Sequence, residues 1–175
     1  SGSSWMTSGG AIFTDAPRGF FLKGRVRAWQ GKSLLLANQV NGEESEARLS
    51  AAGAVRTLID LQKDTPTEMT EVIADFLTYR KQEASVTFTG GVRLTQGTRT
   101  LTCDELVADL DEAQQMRSMR GTGKVRLRDT LAGRSIEART ATYDVGAESI
   151  ELRGEPVTMI DDTGAVAGVY RKSHI

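Results

Sequence analysis

The sequence predicts an all-β protein built from repeated, short antiparallel strands, and three observations support this prediction. Apolar and polar residues alternate with period two along most of the chain, as in strands with one buried face and one face in water. A motif of the form apolar-x-apolar-x-Gly-x-Val-Arg-apolar recurs at intervals of 29 to 37 residues. Turn-forming residues separate the copies, and no long helical stripe competes with the strand pattern.

The clearest copy of this motif runs from residue 86 to residue 97. Its apolar residues share one parity, whereas threonines and Arg93 occupy the other. Gly90 falls on the apolar parity, where a side chain is missing, and this predicts a β-bulge or a close backbone approach. Gln96 and Gly97 then open a turn. The residues of apolar parity are Val86, Phe88, Val92 and Leu94.

The motif is repeated along the chain, and a glycine marks each copy. An aromatic residue (Phe13, Tyr79 or Tyr143) lies 11 residues ahead of three of these glycines, so two markers recur at a fixed offset. Self-similarity at this period is typical of a repeat architecture made from one supersecondary unit. The marker glycines are Gly24, Gly53, Gly90, Gly123 and Gly154, and the last copy needs Pro156 as a one-residue insertion.

The N-terminal third is predicted to contain four strands. Residues 1–10 have the composition of a cloning scar followed by a flexible lead, and residues 11–29 form two strands joined by a turn at residues 15–19. A third strand covers residues 32–40, and Asn41-Gly42 is a strong two-residue hairpin signal. The fourth strand returns over residues 43–60, and residues 61–67 connect it to the next section.

The segment from residue 65 to residue 79 has two interpretations. Thr65-Pro66-Thr67-Glu68 has the form of a helix capping box with proline at the first helical position. Against a helix, the β-branched pair Val72-Ile73 and several threonines favour a strand that ends at the marker Tyr79. We favour the strand.

The remaining elements follow from the same alternation. Strands are predicted over residues 99–104 and 106–110, then over 116–128, 135–143, 149–160 and 165–172. Turns fall at residues 111–113, at Gly133, and at residues 144–148 and 161–164. The whole chain would then hold about 13 to 15 strands of ordinary length.

Length and composition restrict the class of protein. The 175 residues suit one domain or one repeat array, and the net charge of −1 without a basic run argues against nucleic-acid binding. No apolar run approaches the roughly 20 residues that span a membrane. A native signal peptide or anchor would have been removed from this sequence, so the missing leader says nothing about location.

The sequence offers no convincing catalytic, metal or cofactor site. His174 is the only histidine and lies next to the C-terminus. Cys103 adjoins Asp104 and Glu105, which disfavour a thiolate, so it is interpreted as a buried apolar residue. Residues 161–164 lack the spaced ligands of a calcium loop, and residues 121–124 lack the pattern of a phosphate loop.

The predicted inward-facing apolar residues form either a closed core or a lipid-binding groove. Short strands with one apolar face must bury it against a second sheet, and periodicity alone does not tell whether the two sheets close fully or stay splayed along one edge. The inward set is Phe20, Leu22, Val26, Leu34, Leu36, Val86, Phe88, Val92, Leu94, Leu101, Val125, Leu127, Ile136, Ile150, Leu152, Val157 and Met159.

Four arginines follow the marker glycines on the outward parity. They are interpreted as a solvated face balanced by nearby carboxylates, with a basic rim for the phosphates or carboxylates of a ligand headgroup as the alternative. These arginines are Arg27, Arg56, Arg93 and Arg126.

Residues 69–172 resemble the OstA-like family of lipopolysaccharide-transport proteins, which includes LptA, LptC and the N-terminal domain of LptD. The family pattern joins an acidic or Tyr-Asp position to an apolar strand ending in Gly-x-Val, then Gln-Gly, then Leu-x-Ala/Cys-Asp-x-Leu. The first unit is supplied by Tyr79, residues 86–92, Gln96-Gly97, Leu101, Cys103, Asp104 and Leu106. The second is supplied by Gly123, Val125, Ile136, Ala138, Tyr143-Asp144, Ile150, Leu152 and Gly154, and residues 11–60 look like a more divergent copy.

The resemblance implies one twisted, incompletely closed β-jellyroll over residues 11–175, located in the periplasm of a Gram-negative cell. It implies that acyl chains of lipid A lie on the apolar interior and that similar domains, including further copies of this chain, join edge to edge. It implies no catalysis and no cofactor.

Two other functions remain open from the residues alone. One is a self-assembling β-solenoid scaffold with a closed, dry core. The other is a carbohydrate-active enzyme on a β-repeat scaffold, which would need a pair of carboxylates facing a cleft, whereas the acidic residues here lie mainly in turns.

Overall fold

The computed structural model describes residues 4–59, 69–113, 115–147, 149–161 and 166–170, and within these ranges it shows strands and no helix. None of the described elements is a helix that could cross a lipid bilayer. The described strands are β1 (Ser4–Thr7), β2 (Gly10–Asp15), β3 (Arg18–Gln30), β4 (Ser33–Glu43), β5 (Arg48–Ile59), β6 (Thr70–Arg80), β7 (Ser85–Gln96), β8 (Arg99–Leu110), β9 (Met116–Asp129), β10 (Arg134–Asp144), β11 (Ser149–Arg153), β12 (Val157–Asp161) and β13 (Val166–Tyr170).

All described strands belong to one antiparallel sheet that follows the order of the chain. Strands β3 to β10 pair consecutively, β1 and β2 both pair with β3, and β11 and β12 both pair with β10. In the described part of the chain the first and last strands do not pair with each other, so the sheet is open. The predicted all-β, incompletely closed architecture is thereby confirmed, with one continuous sheet supplying both layers.

A line of β-bulges crosses the middle of this sheet. Gly24, Gly53, Gly90 and Gly123 have φ angles of 79°, 76°, 83° and 75°, and the residue after each also has a positive φ. The pairing register shifts at each of these glycines, because two residues of the bulged strand oppose one residue of its neighbour. Bulges bend strands, so four aligned bulges bend the whole sheet along one line.

Polar side chains of the intervening strands pack over three of these bulges. A side chain on Gly53 would come within 2.9 Å of the Asn38 amide nitrogen, and one on Gly90 within 2.6 Å of an Asp75 carboxylate oxygen. Asp104 crowds Gly123 in the same way. These three positions therefore favour glycine both for its backbone conformation and for the close approach of a neighbouring side chain.

The bulge line extends to both ends of the described sheet, where the strands are interrupted. The Gly9 N–H, between β1 and β2, donates a hydrogen bond to the Gly24 carbonyl at 2.8 Å. Gly154, between β11 and β12, lies against the backbone at Arg139. The two short strands at each end are thus the halves of one broken strand, which explains why the fifth copy of the motif is irregular.

The bend divides the sheet into two halves whose inner faces form one core. Half A holds the residues of β3, β5, β7 and β9 that precede their marker glycines, the residues of β4, β6, β8 and β10 that pair with them, and β2 and β11. Half B holds the residues of β3, β5, β7 and β9 that follow their marker glycines, the residues of β4, β6, β8 and β10 that pair with those, and β1, β12 and β13. The buried apolar residues of both halves make one cluster: Leu22, Val26, Ala37, Val40, Ala51, Val55, Val72, Ala74, Leu77, Phe88, Val92, Cys103, Leu106, Ala108, Met119, Val125 and Ala141.

Two local predictions were wrong. Asn41 and Gly42 lie inside β4, and the turn falls at residues 44–47, where the Ala47 N–H bonds to the Glu44 carbonyl at 3.1 Å. Gly42 is needed because the Phe20 ring occupies the space of its missing side chain. Residues 99–110 form one strand rather than two, since the bulge line bends β8 without ending it.

Other local predictions had different outcomes. The strand preferred over a helix at residues 69–79 is confirmed as β6. Residues 4–10, which were predicted to be part of a flexible lead, form β1 and the start of β2. The predicted connection at residues 61–67 lies outside the described residues, and so do residues 162–164 of the predicted turn.

Candidate functional site: the apolar inner face

The inner face of half B carries one continuous row of cross-strand neighbours. Along β4 to β7 the row runs through Leu35, Thr57, Val72 and Leu94. It continues along β8 to β12 through Leu101, Leu127, Ile136 and Met159. We call these eight residues the half B row.

Exposure changes along the inner face. In the middle strands Val72 and Leu106 are 0% exposed and Phe88 is 1% exposed, so the protein's own side chains fill the interior there. From β8 to β12 the members of the half B row are only half-buried: Leu101, Leu127, Ile136 and Met159. The half B row is therefore only partly covered in β8 to β12, next to the edge of the described sheet.

The predicted inward residues fall into three groups by their place in the structure. Five belong to the buried cluster: Leu22, Val26, Phe88, Val92 and Val125. Five are partly buried and pack against it: Phe20, Val86, Leu94, Leu101 and Leu152. Four more are half-buried in β9 to β12, and Ile150 in β11 is 43% exposed; the four are Leu127, Ile136, Val157 and Met159.

Leu34 and Leu36 lie apart from this set. Leu35 packs against the buried cluster, which places both neighbours on the outer face of β4. Strict alternation from Val40 would bring Leu36 and Leu34 inward, but at the bulge line Asn38 and Gln39 both point outward. The inward parity of β4 shifts by one residue there.

The four arginines after the marker glycines lie on the outer face of half B, away from the apolar interior. Arg56 forms an ion pair with Glu71 on the adjacent strand, and Arg126 pairs with Glu137 in the same way. Arg27 and Arg93 are exposed on the same face. Exposed ion pairs of this kind stabilise a fold by about 1 kcal/mol or less.

A charged rim that the sequence analysis missed borders the inner face of half B. Arg99, Asp129 and Arg134 are cross-strand neighbours on the parity of the half B row. The Arg99 guanidinium lies 3.4 Å from the Asp129 carboxylate. Hydrogen bonds from the backbone N–H groups of Ala132 and Leu131, and from Arg99, hold the pKa of Asp129 below its usual value. Alternation alone does not predict this rim, because its three residues become neighbours only through the pairing register of β8, β9 and β10.

Cys103 is a buried cysteine whose thiol is held in its protonated form. Burial, together with the negative charges of Asp104 and Glu105, raises the pKa of the Cys103 thiol to about 11. In the described ranges no three histidine, cysteine, aspartate or glutamate side chains are placed to hold a metal ion.

Comparison with known proteins identifies relatives of this fold. Among solved structures, LptH from Pseudomonas aeruginosa, described as the LptA homologous periplasmic component of the lipopolysaccharide transport device, superposes with a TM-score of 0.54. The two share 18% sequence identity, and the match covers 65% of this chain and 78% of LptH. A search of curated proteins found no match.

Residues 71–170 match the family model described as LptA/(LptD N-terminal domain) LPS transport protein. This range holds the third, fourth and fifth copies of the motif and six of the eight residues of the half B row, so the resemblance noted from the residues is confirmed. The family is one of transport proteins and not of enzymes. The chain belongs to the LptA/LptD N-terminal domain family of lipopolysaccharide-transport proteins.

Proposed function

We propose that this chain is a periplasmic carrier of lipopolysaccharide that holds lipid acyl chains against the C-terminal end of its inner face. The observation that carries the proposal is the half-buried state of Leu101, Leu127, Ile136 and Met159, which form an unbroken apolar row next to an open sheet edge. Family membership supports the class of ligand.

The energetics of this surface suit an acyl chain. Burial of one CH2 group contributes about 0.8 kcal/mol, so a chain of ordinary length gains on the order of 10 kcal/mol before its ordering cost. Such a gain needs apolar area and no catalytic group. Protein-lipid contact at this row would complete a core that the protein itself leaves half-covered.

The unpaired edges give a route for assembly. Within the described residues, β1 and β2 form one edge of the sheet, and β11 and β13 form the other. An unpaired strand offers backbone donors and acceptors to a further strand. Similar domains, including a second copy of this chain joined head to tail, would thereby extend the apolar face from one domain to the next.

Photo-crosslinking tests the acyl site directly. A photoreactive amino acid at Leu127 should crosslink to purified lipopolysaccharide, whereas the same group at Arg126 or Arg128, one residue away on the outer face, should not. Crosslinks at the outer positions alone would show that lipid does not bind the inner face.

A closed scaffold with a dry interior is the second candidate, and the filled interior at Phe88 and Leu106 is the observation that favours it. Native mass spectrometry after exposure to lipopolysaccharide separates the two candidates. A carrier retains lipid and loses it when Leu127 is replaced by aspartate, while a dry scaffold takes up none.

A further inference from the structure

Two threonine hydroxyls are buried in the apolar interior without a hydrogen-bond partner. Thr70 is 0% exposed and Thr57 is 9% exposed, and neither Oγ1 atom has a partner. A buried hydroxyl without a partner costs free energy, and most buried side-chain polar atoms in native proteins are satisfied. Two such groups close together are therefore a feature that needs an explanation.

The two hydroxyls belong to one site on the inner face of half B. Thr57 lies opposite Val72, and Ile59 lies opposite Thr70, so the two threonines are diagonal neighbours on adjacent strands. Diagonal neighbours on one face are roughly 7 to 8 Å apart at the backbone, a separation that one polar group of a ligand can bridge. We call Thr57 and Thr70 the hydroxyl pair.

The surroundings of the hydroxyl pair are apolar. Thr57 is flanked in its row by Leu35 and Val72, and Ile59 lies beside Thr70. Leu35 and Ile59 pack against the buried cluster. Valine has the shape of threonine and would fill both positions without an unpaired hydroxyl, so packing alone does not account for the threonines.

The hydroxyl pair is continuous with the proposed acyl site. Thr57 is a member of the half B row, four strands from Leu127, and adjacent strands are about 4.8 Å apart. The row between Leu127 and Thr57 spans roughly 19 Å. Because Val72 and Thr70 are 0% exposed, a chain that extends from the half-buried end of the row to the hydroxyl pair displaces the side chains that cover these two residues.

We infer that Thr57 and Thr70 form a polar subsite for an oxygen-bearing group on a lipid chain, either a chain hydroxyl or an ester carbonyl. A threonine hydroxyl donates to a carbonyl and both donates to and accepts from a hydroxyl. The subsite favours a functionalised acyl chain over a plain hydrocarbon chain. This inference rests on the proposed acyl site and adds a specificity-determining pair to it.

The test compares two free acids of equal chain length, tetradecanoic acid and 3-hydroxytetradecanoic acid, by calorimetric titration. The wild-type protein should bind the hydroxy acid about two- to tenfold more tightly, the ratio expected from one net hydrogen bond. A Thr57→Val, Thr70→Val double variant should bind both acids equally and retain its affinity for tetradecanoic acid. Its thermal midpoint should equal or exceed that of the wild type, because two unpaired hydroxyls are gone.

Two further variants control the comparison. Thr57→Ser with Thr70→Ser keeps both hydroxyls and should keep the preference, and Thr87→Val changes a threonine on the outer face and should behave like the wild type. The single variants Thr57→Val and Thr70→Val test the inference if the double variant fails to fold, because each removes one hydroxyl and should reduce the preference.

The outcomes of this titration distinguish a failure of the hydroxyl pair from a failure of the proposed acyl site. Equal binding of both acids by the wild-type protein, or a preference that survives in the double valine variant, overturns the hydroxyl pair and leaves the acyl site intact. Failure of the wild-type protein to bind either acid overturns the acyl site and the inference together.

Discussion

Gly90 illustrates how one residue meets two structural demands. Its φ is +83°, and a side chain there would come within 2.6 Å of Asp75, whereas Gly91 has φ +58° and open space around it. Gly91→Ala should therefore cost about 1 to 2 kcal/mol of unfolding free energy from backbone strain alone. Gly90→Ala should cost about 2 to 4 kcal/mol, because crowding adds to strain.

Chemical denaturation of both variants measures this difference. A third variant, Gly90→Ala combined with Asp75→Gly, should recover the crowding part of the loss and leave the strain. Equal destabilisation by the two single alanine variants would show that Asp75 does not constrain Gly90.

The raised pKa of the Cys103 thiol predicts a loss of folding stability at alkaline pH. The thiol has an ordinary pKa of 9.0, which burial raises to about 11 in the folded state. Between these values the folded chain holds more protons than the unfolded chain, so the free energy of unfolding falls as pH rises. Urea titrations from pH 8 to pH 11 should show this fall, and Cys103→Ala should make it smaller. An unchanged slope in the variant would assign the alkaline loss to other groups.

At the scale of the element, the bulge in β9 sets which side chains face inward. Val125 is buried and Leu127 half-buried on the inner face, and both follow the bulge at Gly123 and Lys124. Deletion of Lys124 would remove the extra residue and turn both side chains outward, since a one-residue slip reverses every face. The deletion variant should lose its cooperative unfolding transition.

A one-residue insertion elsewhere is the matched control for that deletion. A glycine inserted between Ala132 and Gly133 lengthens the turn between β9 and β10, and a turn tolerates one residue at a cost of about 0.6 kcal/mol or less. Thermal melting followed by circular dichroism compares the two variants. A cooperative melt at the wild-type midpoint after deletion of Lys124 would contradict the assigned role of the bulge.

For the molecule as a whole, the exposed side chain of Phe13 marks the N-terminal edge. Phe13 lies opposite Phe20 on the edge strand β2 and is 77% exposed. A second domain added at this edge would cover it, so Phe13→Asp should weaken self-association at high protein concentration while leaving the monomer folded. Sedimentation velocity measures the change in association.

Leu131 provides the matched control for the Phe13 variant. It is 85% exposed, but it lies in the turn between β9 and β10 rather than on an edge. Leu131→Asp should leave association unchanged. Equal weakening by both variants would indicate non-specific hydrophobic contact instead of edge-to-edge assembly.

Much of this molecule was predictable from local pattern. Alternation placed Phe88, Val92 and Val125 inward, and Gly90 indicated a bulge, because a strand bulge needs a residue that tolerates positive φ. The structure shows the same bulge at Gly24, Gly53 and Gly123. Leu34 and Leu36 were placed on the wrong face, since the parity shift in β4 occurs at Asn38 and Gln39, which are not themselves a recognisable marker. Thr57 stands in the last apolar position of the second copy of the motif, but its unpaired hydroxyl is visible only in three dimensions.

The sequence by itself determined the strands, their repeat and the residues at which they bend, because side-chain alternation and glycine conformation are local properties of the backbone. Only the tertiary structure decided that the sheet stays open and that protein side chains fill the middle of its interior but only half cover the C-terminal end. It also decided that two buried hydroxyls lie diagonally opposite each other on adjacent strands. Those features depend on how distant strands align across the bulge line, and strand register between segments far apart in the chain is not encoded in any one of them.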